Sequence, residues 1–369
     1  MGFRYIGAKT GIIEGVLAKV KQIVPSGSHV ADLMCGTGAV SAALRREGYR
    51  VTANDVMTYS YHHARVALLF TSPPMFEGTR NFIVRFCPRN SDQLFPPSNY
   101  QRILQALNNV QPEKGYFWKE FSVDGSPKNC EKPRNYFSPE NAGKIDGVRS
   151  WVRRLHESHQ IDDLEHSLLI HDLIMAANDC ANIAGTYGHY MSKFAGRMKT
   201  RVELKPTPLL LIDDRGSHNV LQGFAERIAG QIRSDLCYID PPYMKRQYAA
   251  NYHILETLAR EDEPEAIGVS GLRPWRDQYS NFCTKTRIRD SFREIFLNMD
   301  CPHFLVSYSE DGLLSRGDLE GLLSDFGEVQ TTTFNHKRFK SHDIDRDPCL
   351  TEYLFHLRVK CPSWAQPSL

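Results

Sequence analysis

The apolar positions of the first seventy residues fall into short runs broken by glycine. His29-Val30-Ala31-Asp32-Leu33 is one such run, ending in Met34-Cys35-Gly36-Thr37-Gly38. A brief apolar stretch bounded by a glycine turn predicts a buried strand. Ala39 to Glu47 reads as a helix stopped by Gly48, and Tyr49-Arg50-Val51-Thr52-Ala53 as the next strand, with Asn54-Asp55 at its end. Residues 1–70 are therefore expected to run helix, strand, glycine turn, helix, strand, helix. Strand, glycine turn, helix and strand in that order open a parallel α/β sheet.

The pattern changes near residue 71. Pro73, Pro74, Pro88, Pro96, Pro97, Pro112, Pro127, Pro133 and Pro139 interrupt the chain, aromatic residues are frequent, and the βα alternation is lost. Leu169, Leu173, Ala176, Cys180 and Ile183 then keep helical spacing until Gly185. The α/β pattern returns near residue 209, with Leu209 to Ile212 a predicted strand and Val220 to Gln231 a predicted helix. A strand at Asp235 to Ile239 leads into Asp240-Pro241-Pro242-Tyr243, and later strands are expected at His303–Ser307 and Tyr353–Val359. The expected division is thus 1–70 with 206–369 as one domain and 71–205 as a mostly helical insertion. No internal repeat or low-complexity block is present.

Composition narrows the class. A 369-residue chain with 41% hydrophobic and 24% charged residues can bury a sizeable core as a soluble globular protein. No apolar stretch approaches the ~20 residues of a membrane helix, and the first residues carry no apolar signal region, so a cytoplasmic location is expected and no membrane partner. Nine cysteines stand singly, without a Cys-x-x-Cys pair, as in a reducing compartment. Fourteen histidines show no metal spacing, and His62-His63 reads as a polar helix face; no metal is expected.

A net charge of +2 says nothing for nucleic acid, but local charge does. Lys193, Arg197, Lys199, Arg201 and Lys205 face one acid, Glu203. Arg273, Arg276, Lys285, Arg287 and Arg289 form a second cluster beside Asp277, and His336-Lys337-Arg338-Phe339-Lys340 a third. Clustered Lys and Arg displace counterions from backbone phosphates. A solvated face explains any one cluster equally well.

Two motifs carry chemistry. Gly36-Thr37-Gly38, between a first strand and a helix, lets backbone approach a ligand at the carboxyl edge of the sheet. Asp32 ends the first strand and Asp55 the second, 17 residues past Gly38, where an acid can accept hydrogen bonds from ribose hydroxyls. A dinucleotide fold would place a third glycine where Ser41 stands, so the turn alone does not name its ligand. Asp240-Pro241-Pro242-Tyr243 is more specific. Two prolines after an apolar strand cannot donate ladder hydrogen bonds. They stiffen the chain so that the Asp240 carboxylate and the Pro241 carbonyl can point together into a cleft beside the Tyr243 ring.

On these residues the chain resembles the amino-methylating DNA methyltransferases, most closely the Dam-type adenine-specific N6 enzymes of the alpha group. Arg4-Tyr5-Ile6-Gly7-Ala8-Lys9 is similar to the family's N-terminal cofactor motif, Asp32 to Gly38 to its glycine-rich motif, and Asp240-Pro241-Pro242-Tyr243 to its catalytic tetrad. Asn251-Tyr252-His253 to Glu256-Thr257 is similar to the helix after the tetrad. Two positions depart from the pattern: Ala8 replaces a glycine, and Met34-Cys35 stands where an aromatic or proline is frequent. The resemblance implies a Rossmann-like, S-adenosylmethionine-dependent methyltransferase fold with an inserted, mostly helical target-recognition domain over 71–205. It also implies S-adenosylmethionine as cofactor, bound by Tyr5, Lys9, Asp32, Gly36, Gly38, Asp55 and Asp240. The catalytic residues would be Asp240, Pro241, Pro242 and Tyr243. Expected partners are double-stranded DNA and a cognate restriction endonuclease, and the expected location is the bacterial cytosol or nucleoid.

Ser72-Pro73-Pro74-Met75 imitates a serine-type tetrad but lacks the aromatic face, and only 17 residues separate it from Asp55; it reads as a turn. Three alternatives stand beside adenine N6 methylation: cytosine N4 methylation, methylation of an RNA amine, and a non-catalytic DNA-binding relative.

Overall fold

Residues 12–87, 96–194, 196–214, 216–337 and 349–360 are described by a computed structural model of the chain. Seven strands form one sheet: β1 (His29–Asp32), β2 (Arg50–Asp55), β3 (Asn219–Gln222), β4 (Leu236–Ile239), β5 (His303–Ser309), β6 (Gly327–Lys337) and β7 (Cys349–Val359). Their order is β3-β2-β1-β4-β5-β7-β6. Neighbours from β3 through β5 run parallel, whereas β7 is antiparallel to both β5 and β6. The expected α/β sheet is therefore present, and its antiparallel edge of β6 and β7 makes it mixed.

The sequence explains the central strands. Val30, Ala31, Val51, Ala53, Leu236, Cys237, Ile239, Phe304, Leu305 and Val306 are all buried, because a parallel strand is covered on both faces and reads as a continuous apolar run. Strand order reverses between β1 and β4: the chain builds β1, β2 and β3 to one side, then returns to place β4 and β5 on the other. Ligands of open α/β sheets bind at such a reversal, outside the carboxyl ends of the strands.

Two expected elements differ. Leu209 to Ile212 is not a strand: its residues are irregular, with Leu211 and Ile212 exposed. The third strand is instead Asn219–Gln222, and only Ala225–Ala229 of the expected Val220–Gln231 helix forms. The Leu209–Ile212 run had apolar content without a neighbour to pair with, and Asn219–Gln222 had a neighbour without an apolar pattern.

Chain contacts group into two units. One contains the sheet and comprises Gly7–Ala64, Gly216–Gln247 and Gln278–Leu369. The other is mostly helical and includes Arg65–Arg215 and Tyr248–Asp277. The two helices that follow the Asp-Pro-Pro-Tyr turn, Tyr248–Asn251 and His253–Arg260, belong to the helical unit, which no break in the sequence pattern announces.

Within the helical unit, Pro139–Glu157 and Asp163–Cys180 are its two long helices. Each begins with a capping side chain: Ser138 accepts from the Asn141 N–H, and Asp162 from those of Leu164 and Glu165. A buried ion pair between Arg134 and Glu120 joins the segment before the first of these helices to the short helix Tyr116–Phe121. Arg134 also donates to the carbonyls of Ala266, at 3.2 Å, and Gly268, at 3.0 Å.

Candidate active site

The turn after β1 adopts a conformation that glycine suits: Gly36 has φ of 52° and Gly38 of 74°, the left-handed region that a Cβ disfavours. Gly38 also caps the helix Ala39–Arg46. The turn is tied to both neighbouring strands. The Leu33 N–H donates to the Tyr238 carbonyl on β4 at 3.1 Å, and the Cys35 N–H to the Asn54 carbonyl on β2 at 2.9 Å.

Asp55, at the end of β2, uses one carboxylate oxygen on the Gly36 N–H and the other on the Met57 N–H, each at 2.9 Å. It thereby fixes the turn while standing at the carboxyl edge where the sequence places an acid. Asp32 lies deeper. It is 1% exposed, and its Oδ2 accepts a 2.6 Å bond from the Ser41 hydroxyl. Its Oδ1 has no hydrogen-bond partner among the described residues. Burial raises the Asp32 carboxyl to about 7; the Ser41 hydroxyl opposes the shift, and the charges of Asp240 and Asp55 add to it. Asp32 is thus a support beneath the turn, with its carboxyl inside the protein.

Asp240 follows the last residue of β4 and is partly exposed, with Pro241 buried behind it. Tyr243 is half-buried against the core. Its ring meets the Tyr308 ring edge-on, at 6.0 Å between centroids and 66° between planes. Its carbonyl accepts from the Leu313 N–H at 3.0 Å. Tyr308 is fixed in turn, its hydroxyl accepting from the Leu314 N–H at 3.2 Å. β1 and β4 are adjacent, so the Gly36–Gly38 turn and the Asp240–Tyr243 turn leave neighbouring strands at the point of reversal. Tyr5 and Lys9 lie outside the described residues.

Three supporting residues were not singled out in the sequence. Ser41 has the hydrogen bond just given. Asn54 donates from Nδ2 to the Leu33 carbonyl at 2.9 Å and the Gly223 carbonyl at 3.0 Å, stapling the ends of β1 and β3. Gln278 donates to the Val56 carbonyl at 2.9 Å. Asn54 acts across strands, Ser41 between a helix and β1, and Gln278 on the residue after β2; only the short step from Asp32 to Ser41 could have been suspected from sequence.

The charge clusters separate. Lys193, Arg197, Lys199 and Arg201 are exposed, and Lys205 pairs with Glu203 at 3.4 Å. This segment is strapped down by two asparagines: Asn141 accepts from the Val202 N–H, and Asn108 from the Leu204 N–H, each at 2.9 Å. The second cluster is free only in part: Arg276, Lys285 and Arg287 are exposed. Arg273 is buried and pairs with both oxygens of Asp262, at 3.0 and 2.7 Å, and Arg289 pairs with Asp318 at 2.5 Å. Of the third cluster, Arg338, Phe339 and Lys340 lie outside the described residues. His62 and His63 are buried rather than on a polar face. Ser72 to Met75 is an irregular turn. Burial raises the Cys35 and Cys237 thiols far above their ordinary range, which keeps them unreactive. Among the described residues no group of three or more His, Cys, Asp or Glu side chains could hold a metal ion. No described helix is long and apolar enough to cross a membrane.

Known proteins share this chain's sequence along most of its length. It is 29% identical over 362 residues to Type II methyltransferase M.FokI of Planomicrobium okeanokoites, a match covering 96% of this chain and 52% of that protein. It is 27% identical over 361 residues to modification methylase StsI of Streptococcus sanguinis, covering 97% and 52%. The chain thus spans about half the length of both. Against Type II methyltransferase M.CviAII of Paramecium bursaria Chlorella virus 1 it is 29% identical over 361 residues, covering 96% and 98%. The seven-stranded mixed sheet is consistent with a methyltransferase fold. With a family model matching residues 5–320, the chain belongs to the D12 class N6 adenine-specific DNA methyltransferases.

Proposed function

We propose that this chain transfers a methyl group from S-adenosylmethionine to N6 of adenine in duplex DNA, as the modification partner of a restriction endonuclease in the bacterial cytosol or nucleoid. The observation that supports this most is the placement of Asp240-Pro241-Pro242-Tyr243 and Gly36-Thr37-Gly38 on the ends of adjacent strands where the sheet order reverses. Family membership and the names of the relatives, type II methyltransferases and a modification methylase, point the same way.

The residues present suit the cofactor. Gly36 and Gly38 offer backbone without a Cβ at positive φ, Asp55 stands where ribose hydroxyls can be met, and Asp32 braces the turn from beneath. The family resemblance adds Tyr5 and Lys9. S-adenosylmethionine, when bound, supplies an electrophilic methyl group on a sulfonium. The chain's own part is to make a poor nucleophile attack it. The N6 lone pair of adenine is delocalised into the ring. Asp240 and the Pro241 carbonyl accept the two amine hydrogens, drawing the nitrogen toward a pyramidal geometry with its lone pair free. The Asp240 carboxylate stabilises the positive charge that builds on N6, one N–H proton leaves N6 to solvent after the methyl has moved, and fixing the amine in line contributes much of the remaining acceleration. The amine is inaccessible inside a stacked duplex, so the base turns out and stacks on Tyr243, whose ring meets Tyr308 edge-on.

Sequence reading is assigned to the insertion 71–205, with Lys193, Arg197, Lys199 and Arg201 meeting phosphates. Residues 1–70 and 206–369 form the catalytic domain. The order of motifs, cofactor turn first and tetrad after the insertion, favours the Dam-type alpha group within the family.

The test is transfer of labelled methyl to duplex DNA followed by digestion to nucleosides. N6-methyladenine is expected, and Asp240→Ala should abolish its formation while leaving DNA affinity close to that of the unsubstituted protein. N4-methylcytosine as the product, or undiminished turnover in Asp240→Ala, refutes the reading.

A further inference from the structure

The opposite edge of the sheet carries a second constellation. A cavity of about 350 Å³ lies between the helix Ile13–Ile23 and the strand ends His303, Glu328 and Arg358. This is within the size range of small-ligand sites. His303 begins β5, so the cavity sits at the amino edge of the parallel strands, whereas Asp240 lies beyond a carboxyl end.

Strand register brings the groups together. His303 faces Arg358 across β5 and β7, Glu328 faces Arg358 across β6 and β7, and Gln330 faces His356. Alternation along a strand puts His356 and Arg358 on the same face. The helix adds Lys19, whose Nζ reaches Gln330 Oε1 at 3.5 Å. His356 Nε2 lies 3.2 Å from His303 Nδ1, so one ring donates to the other.

The charge on this wall is unbalanced. Neither Lys19 nor Arg358 has a carboxylate within ion-pairing distance among the described residues, and Glu328 is the one acid lining the cavity. Burial lowers the His356 pKa to about 4, with His303, Lys19 and Arg358 adding to the effect. His303 is lowered by burial and by Arg358. At neutral pH the two rings are therefore uncharged, and the cavity holds two cations against one anion.

We propose that this cavity binds a tetrahedral oxyanion of the phosphate type, gripped by Lys19 and Arg358 and seated on the His303–His356 pair. Arg and Lys donors match such an anion, and its charge favours the protonated form of the histidines beneath it. Binding therefore draws in a proton and tightens as pH falls. Glu328 opposes the anion throughout. The site stands apart from the methyl-transfer reading and does not depend on it.

Sulfate is the first probe, because it keeps its charge across the pH range used. The ring resonances of His303 and His356, assigned with His303→Gln and His356→Gln, should shift saturably as sulfate is added to the whole protein. Affinity should rise several-fold from pH 8 to pH 6. Arg358→Ala should weaken binding at least tenfold, Lys19→Ala several-fold, and Glu328→Gln should strengthen it. Inorganic phosphate should compete with sulfate. A short duplex containing only G·C pairs, which offers no adenine, then separates the sources. If the duplex displaces sulfate, the natural ligand is a nucleic-acid phosphate; if only inorganic phosphate does, it is a free phosphate compound. The absence of a saturable shift in the unsubstituted protein overturns the proposal, as does undiminished affinity in the Lys19→Ala, Arg358→Ala double variant.

Discussion

Asp32→Asn tests the interior of the site. In the folded protein Asp32 titrates near 7, against an ordinary value of 3.8. The cause is burial, to which the charges of Asp240 and Asp55 add and which the Ser41 hydroxyl opposes. For an acid raised in this way, the folded state keeps a proton that the unfolded chain has already lost between about pH 4 and pH 7. Stability therefore falls as pH rises through that window, and the loss is complete above it. At 1.36 kcal/mol for each pH unit, the full effect is about 4 kcal/mol. Asparagine imitates the protonated acid at every pH: its oxygen still accepts from Ser41, and its amide group takes the position of the unpartnered oxygen. The variant should match the native protein near pH 4 and exceed it progressively up to pH 8. Urea unfolding at several pH values measures the difference. A variant equally destabilised at every pH, or one weaker than the native chain at pH 8, would show that Asp32 is ionised and satisfied by a partner, and the argument would fail.

Other expectations follow from single contacts. Tyr243→Phe should retain most activity and Tyr243→Ala lose it through weaker capture of the extruded base, followed as fluorescence of 2-aminopurine at the target position; equal damage from both refutes stacking. Gly38→Ala forces a side chain into a φ of 74°, at a cost of about 1–2 kcal/mol, and should raise the dissociation constant for S-adenosylmethionine roughly tenfold by calorimetry; unchanged affinity removes the turn from the cofactor site. Arg134→Ala leaves Glu120 buried without its cation and should destabilise the chain by about 3–5 kcal/mol in urea. Arg134→Met with Glu120→Gln should recover much of that loss, and a single-variant effect below about 1 kcal/mol would mean the pair is solvated.

What could be read from the sequence was whatever the chain decides locally. β1 and β4 are apolar on both faces because they are central and parallel. The missing Cβ of Gly36 and Gly38, which admits a positive φ, and the missing donors of Pro241 and Pro242 are covalent properties of those residues, so both turns could be recognised without knowing their surroundings. β3 and β6 escaped for the opposite reason. They are edge strands: Asn219–Gln222 is at most half-buried, and β6 contains Thr331-Thr332-Thr333, so neither carries a clean apolar signal, and each exists because a neighbour offers it hydrogen bonds. Counting charges failed in the same way at Arg273 and Arg289, whose carboxylates sit 11 residues earlier and 29 residues later.

That distinction bears on the chemistry itself. A rigid turn can present a carboxylate and a carbonyl, but it cannot by itself set their distance from a ligand held by another turn. Here that distance is set by cross-strand bonds: Leu33 to Tyr238, Cys35 to Asn54, Gly36 to Asp55, and Asn54 to both Leu33 and Gly223. Shifting β4 by one residue against β1 would move Asp240 by about 3.3 Å and flip its side chain to the other face of the sheet. In-line transfer tolerates no such displacement. The proposed catalytic tetrad is therefore legible in four consecutive residues, whereas its alignment with the glycine turn depends on the bonds between strands, those of Asn54 among them.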